Sequence, residues 1–132
     1  MAETPKSIAD LKEAFAGESQ ANRKYLAFAK QADKEGFTQV AKLFRAAAEA
    51  ETIHAHNHLR ALGAIGATRE NLVEAVAGET HEFKNMYPQM IADAELEGAT
   101  EARRSFTFAN AVEKVHAALY QQALDTLGQS TE

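Results

Sequence analysis

The 132-residue chain contains no cysteine. Disulfides, thiolate nucleophiles, zinc ribbons and iron–sulfur clusters are therefore excluded, and any redox chemistry must run on a bound metal or an organic cofactor. Proline occurs only twice, at Pro5 and Pro88, so little in the chain would interrupt a helix. No apolar run approaches the roughly 18 residues of a membrane span, and the N-terminus lacks a signal-peptide pattern; the sequence reads as a soluble, cytoplasmic chain with no membrane partner. Basic clusters are also missing and the net charge is −5. Nucleic acid is not an expected partner, because phosphate binding draws on clustered Lys and Arg.

What is present points to helix. Apolar residues make up 45% of the chain, too many for a disordered polymer, and the length fits one domain with a modest core. Ala, Glu, Lys, Leu and Gln dominate, which favours helix. Turn signals cut the chain into four long stretches. Ser7 can cap the first, with Asp10 in a box-like position three residues on, and Gly36 follows its end near Glu35. Thr38 can cap the second, which runs to about Leu62; Thr68 can cap the third and Thr100 the fourth, which stops near Gly128. The expectation is an all-α four-helix bundle over residues 1–132, built from one hairpin over about 7–62 and another over about 68–128, each helix roughly 40 Å long.

Each predicted helix carries an inward stripe at spacings of three and four, and a carboxylate interrupts every stripe near its middle. Glu18 follows Ile8, Leu11 and Phe15 and precedes Asn22 and Tyr25; Glu51 and His54 follow Phe44, with His58 one turn on; Glu79 precedes Phe83; Glu113 and His116 follow Phe106. The halves also repeat. At an offset of 62, Tyr25 meets Tyr87, Phe44 meets Phe106, Glu51 meets Glu113 and His54 meets His116, whereas Glu18 meets Glu79 at an offset of 61. The third helix thus holds one extra residue between Glu79 and Tyr87. Helices absorb such an insertion as a π-bulge, and Pro88 removes a helix donor just beyond, so a distortion is expected between about Glu82 and Pro88.

Glu51-Thr-Ile-His54 and Glu113-Lys-Val-His116 each place a carboxylate and an imidazole on one helix face. With Glu18 and Glu79 from the other two helices, they match the described pattern of di-iron and di-manganese carboxylate bundles. One Glu-x-x-His on a helix is usually a surface pair; two, related by a repeat and joined by inward glutamates, favour a metal site. A purely structural bundle would have to bury these carboxylates unpaired, at several kcal/mol each. Oxygen-rich donors with some imidazole suit iron or manganese, and zinc can take them too. Glu82, one turn after Glu79, would ordinarily be solvated, but the extra residue nearby can turn it inward. His58 reads as a packed or hydrogen-bonded histidine rather than a ligand, His56 and His81 as surface residues, and Tyr120 as core. Phe15, Phe28, Phe44, Phe83, Phe106 and Phe108 read mostly as packing residues. Tyr25 and Tyr87 read as inward tyrosines whose hydroxyls need partners, which ligand carboxylates could supply.

Gly17-Glu18-Ser-Gln-Ala-Asn-Arg-Lys-Tyr25, Glu51-Thr-Ile-His54, Gly78-Glu79-Thr-His-Glu82-Phe-Lys-Asn-Met-Tyr87-Pro88 and Glu113-Lys-Val-His116 together resemble the rubrerythrins of the ferritin-like superfamily, over nearly the whole chain. The resemblance implies that Glu18, Glu51, His54, Glu79, Glu82, Glu113 and His116 hold two irons, with Glu51 and Glu113 bridging. It implies two-electron reduction of hydrogen peroxide to water in oxidative-stress protection, with one iron shifting between Glu82 when oxidised and His54 when reduced. Tyr25 and Tyr87 resemble the family's tyrosines beside the ligand carboxylates. Typical members add a rubredoxin domain with four cysteines; this chain resembles the short branch without one, which implies a separate electron donor such as a rubredoxin or a flavoprotein reductase. A ferroxidase or iron-handling protein is the alternative.

In a ferritin-like arrangement the two hairpin turns lie at opposite ends. Leu62 would sit about 16 Å past the metal level and the start of the third helix about 15 Å before it, a gap of roughly 30 Å, against a reach of about 24 Å for Gly63 to Thr68. The expectation is a homodimer in which the first hairpin of one chain packs with the second hairpin of its partner.

Overall fold

A computed structural model of the protein describes residues 5–129. Its elements are helical throughout: α1 (Lys6–Lys34), α2 (Thr38–Ala61), α3 (Thr68–His81), a π-helical turn (Glu82–Met86), α4 (Tyr87–Glu97) and α5 (Thr100–Thr126). The chain divides into two compact units, Met1–Ile65 and Gly66–Glu132. Each is a hairpin: α1 lies along α2 in the first, and α3, the π turn and α4 lie along α5 in the second. No helix among the described residues is long and apolar enough to cross a membrane.

The glycines end the helices as their spacing predicts. Gly36, Gly63 and Gly98 take positive φ of 87°, 69° and 69° just past α1, α2 and α4, a conformation that costs other residues a clash between Cβ and carbonyl. The starts differ from expectation. Thr38, Thr68 and Thr100 are the first helical residues, and the cap positions fall to Phe37, Ala67 and Ala99, none with a side-chain cap bond. Ser7 is likewise inside α1, which begins at Lys6 with Pro5 in the cap position, where its missing N–H costs nothing. At α3 the free donors are met from within the helix. Glu70 Oε1 accepts the Ala67 N–H at 3.4 Å, while Asn71 clamps Gly66, accepting its N–H at 2.8 Å and donating to its carbonyl at 3.0 Å. A Cβ on Gly66 would lie 2.8 Å from Glu70 Oε2 and 3.0 Å from Glu70 Cβ, so this clamp needs glycine.

The expected distortion is present. The turn over Glu82–Met86 is π-helical, and the Tyr87 N–H donates to the Glu82 carbonyl five residues back. The wider turn takes up the one-residue excess without breaking the helix, and Pro88 falls in the first turn of α4, where its missing donor costs least.

Alanine makes the contact between helices. Ala29 and Ala32 of α1 and Ala41, Ala48 and Ala55 of α2 are buried, as are Ala94 and Ala117 in the second unit, and none of the described residues buries a large side chain completely. Ala41, Ala48 and Ala55 recur every seven residues, so one face of α2 stays small along two helix repeats and the backbones can approach closely. Aromatic rings flank this seam: Tyr25, Phe28 and Phe44 have centroids 5.5–6.3 Å apart, and Tyr87 lies 6.1 Å from Phe106. The larger apolar residues are less covered than their stripes suggest. Phe108, read as packing, is 70% exposed, and with Val112, Val115 and Leu119 it forms an exposed apolar row on α5.

Because Ala41 is fully buried, Ala41→Leu should overfill the α1–α2 seam and cost about 1–3 kcal/mol. Urea unfolding followed by circular dichroism would register this as a lower midpoint; an unchanged midpoint would mean that the seam is not packed as described.

Candidate metal centre

In the first hairpin, Glu18 of α1 meets Glu51 and His54 of α2; in the second, Glu79 of α3 meets Glu113 and His116 of α5. Within each group, one ligand atom per residue lies within 4.8 Å of the others. The three-residue spacing on α2 and α5 puts carboxylate and imidazole on one face, and the neighbouring helix supplies the second carboxylate across the seam. His54 Nδ1 is 3.0 Å from Glu18 Oε1 and 4.0 Å from Glu51 Oε2. His116 Nδ1 is 3.6 Å from Glu79 Oε1 and 3.8 Å from Glu113 Oε2. Corresponding residues therefore do corresponding things in the two halves.

Asn22 fixes the register near Glu18. Its Nδ2 donates to the Ala48 carbonyl and to Thr52 Oγ1, both at 2.7 Å, and so holds α1 to α2 one turn from the carboxylate. Sequence reading placed Asn22 inward but did not identify these partners, which depend on the register between two helices.

The carboxylates are largely covered, with side-chain exposures of 26% for Glu18, 22% for Glu51, 18% for Glu79 and 19% for Glu113. Glu18 Oε2 and Glu79 Oε2, the repeat-related pair, are sealed from solvent and accept no hydrogen bond. A buried carboxylate oxygen without a partner is costly. Glu79 Oε2 has no partner and Glu18 Oε2 meets only the His58 ring; each stands beside a second carboxylate and an imidazole, a set that fits a divalent cation, which would neutralise the charge.

The remaining candidates are placed as follows. Glu82 is half-buried and begins the π turn, outside the three-residue groups. Tyr25 and Tyr87 are half-buried among aromatic rings, and among the described residues neither hydroxyl bonds a ligand carboxylate within its own hairpin. His56 and His81 are exposed, as read. Tyr120, read as core, is 37% exposed, its ring 6.3 Å from that of His116. His58 Nε2 lies against Glu18 Oε2, in contact but without hydrogen-bond alignment; the four-residue step from His54 was the signal that put it on this face.

The rubrerythrin family model matches residues 10–124. The chain belongs to the rubrerythrin family. Among its relatives, Rubrerythrin-2 of Clostridium acetobutylicum is 38% identical over 130 residues, covering 88% of this chain and 71% of the relative. Nigerythrin of Nitratidesulfovibrio vulgaris is 36% identical, covering 92% and 67%. The solved structure of fully reduced, all-ferrous nigerythrin superposes with a TM-score of 0.51 at 32% identity, over 99% of this chain and 72% of that one. The ferritin-like fold of the rubrerythrins is thus this chain's fold, and membership makes it a di-iron oxidoreductase in kind.

The unpartnered oxygen of Glu79 yields a prediction of opposite signs. In metal-free protein Glu79→Gln removes an uncompensated charge and should leave the melting temperature unchanged or raise it. With excess Zn2+ the wild type should gain about 2.7 kcal/mol at a hundredfold excess over Kd, and the variant clearly less. Calorimetry with and without metal checks both; equal stabilisation by zinc would remove Glu79 from the ligand set.

Proposed function

We propose that the chain is a non-haem di-iron peroxidase that reduces hydrogen peroxide to water with electrons from a separate donor, a rubredoxin or a flavoprotein reductase. The observation that carries this reading is the pair of repeat-related groups, each a glutamate facing a Glu-x-x-His and each with a carboxylate oxygen sealed from solvent and outside any hydrogen bond. Glu18, Glu51, His54, Glu79, Glu82, Glu113 and His116 would hold two irons, and zinc or manganese could occupy the same donors. When bound, two ferrous ions supply both electrons for H2O2 + 2 H+ + 2 e− → 2 H2O.

The protein's own residues set the conditions. Glu51 and Glu113, each sharing a helix face with its histidine, would be central among the carboxylates that hold the metals. Glu82 stands on the π turn, where the backbone is wider than in an α-helix, and by the family resemblance it and His54 would be alternative donors to one of the metals. Tyr25 and Tyr87 would hold ligand carboxylates through their hydroxyls, and their aromatic neighbours limit water at the centre.

The two half-sites would be completed between two copies of the chain. Helix ends at Ala61 and resumes at Thr68, leaving a link that reaches about 24 Å fully extended. Glu51 lies about 15 Å from the end of α2 and Glu79 about 16 Å from the start of α3, so in a bundle with its hairpin turns at opposite ends the link is too short. The exposed row Phe108, Val112, Val115 and Leu119 beside Glu113 and His116 offers a surface for such packing.

Two measurements test these proposals. Reconstituted protein should hold about two irons per chain, as the ligand pattern requires, and after anaerobic reduction should be reoxidised faster by peroxide than by air in stopped flow. Faster oxidation by air would indicate a ferroxidase instead. For assembly, a chain carrying Glu51→Ala and His54→Ala is unfolded and refolded together with one carrying Glu113→Ala and His116→Ala. Exchange between copies regenerates one intact site per mixed dimer and restores iron binding, whereas closure within each chain restores none.

A further inference from the structure

We propose that His58 is a positioning residue for Glu18 and that it makes the two metal positions unequal. The inference rests on the metal-site reading above and concerns a residue outside that ligand set. On α2, His58 follows His54 by four residues and shares its face. Its Nε2 touches Glu18 Oε2, while His54 Nδ1 lies 3.0 Å from Glu18 Oε1. Glu18 is therefore flanked by an imidazole at each oxygen. The His58 ring is 29% exposed, against 52% for His54, so it is the more enclosed of the two.

The second hairpin lacks this arrangement. At the repeat offset the residue corresponding to His58 is Tyr120, whose ring turns to His116. Among the described residues no basic group pairs with Glu79 Oε2, which is sealed and unpartnered. His58 also stands outside the tight Glu18, Glu51 and His54 group, on the outer side of the carboxylate. That placement suits a hydrogen-bond donor better than a ligand: a small rotation of the carboxylate aligns Nε2–H with Oε2.

An N–H that engages Oε2 of a carboxylate makes that oxygen the poorer donor and directs Oε1 toward a cation. Glu18 would then favour a cation through Oε1. Glu79 keeps both oxygens available and can chelate. The two positions then differ in donor number and in affinity, although the ligand residues are repeat-related.

The test is titration of metal-free wild type, His58→Leu and His58→Gln with Co2+ and with Zn2+ against a chelator, with circular dichroism confirming unchanged helix content. Wild type should take up metal in two steps of different affinity. His58→Leu should weaken one step roughly ten- to hundredfold, the usual effect of losing an outer hydrogen-bond partner, and leave the other unchanged. His58→Gln, which retains an N–H donor, should recover most of that loss and the wild-type Co2+ absorption spectrum. Two unchanged steps in His58→Leu would overturn the proposal, as would a glutamine variant as weak as the leucine one, which would make the imidazole itself a ligand. A wild type that binds no metal would instead overturn the metal-site reading on which the proposal stands.

Discussion

Carboxylate charge held between helices is the constraint on which this structure turns. Each hairpin draws two glutamates and a histidine into a space where exposure is about a fifth to a quarter for the acids, and one carboxylate oxygen in each is sealed from solvent without a hydrogen bond. Burial of that kind is unfavourable unless a cation or a donor compensates it. The arrangement becomes favourable only when positive charge arrives, so stability and metal binding are coupled through the same atoms.

The alanine seam makes this proximity possible. Small residues every seven positions on α2 let α1 come close enough for Glu18 to reach His54 and His58 across the gap, and Asn22 locks the register beside it. Larger residues at Ala41, Ala48 or Ala55 would separate the helices and draw the carboxylate away from its partners. Packing and chemistry are thus set by alternate faces of the same helix: the seam fixes a distance and the adjoining face uses it.

Much of this was legible in the chain itself, because the informative signals are local. The Glu-x-x-His spacing places a carboxylate and an imidazole on one face whatever the partner helix does, and the change of offset from 62 to 61 between Tyr25/Tyr87 and Glu18/Glu79 located the π turn. What escaped sequence reading depends on distance or competition. The helix starts moved by one residue because Thr38, Thr68 and Thr100 suit the first helical position as well as the cap. Phe108 and Tyr120 proved exposed because a periodic stripe says which residues share a face, not what covers it. The partner of His58 lies on another helix and could be found only once the register was known.

The π turn also marks where the repeat breaks. The two hairpins match at an offset of 62 from Tyr25 and Tyr87 to His54 and His116, and the one-residue excess belongs to the second hairpin alone. It leaves Glu51 and Glu113 in correspondence while setting Glu82 at a widened turn that α1 lacks. A single change in chain length can in this way give two like halves unlike surroundings.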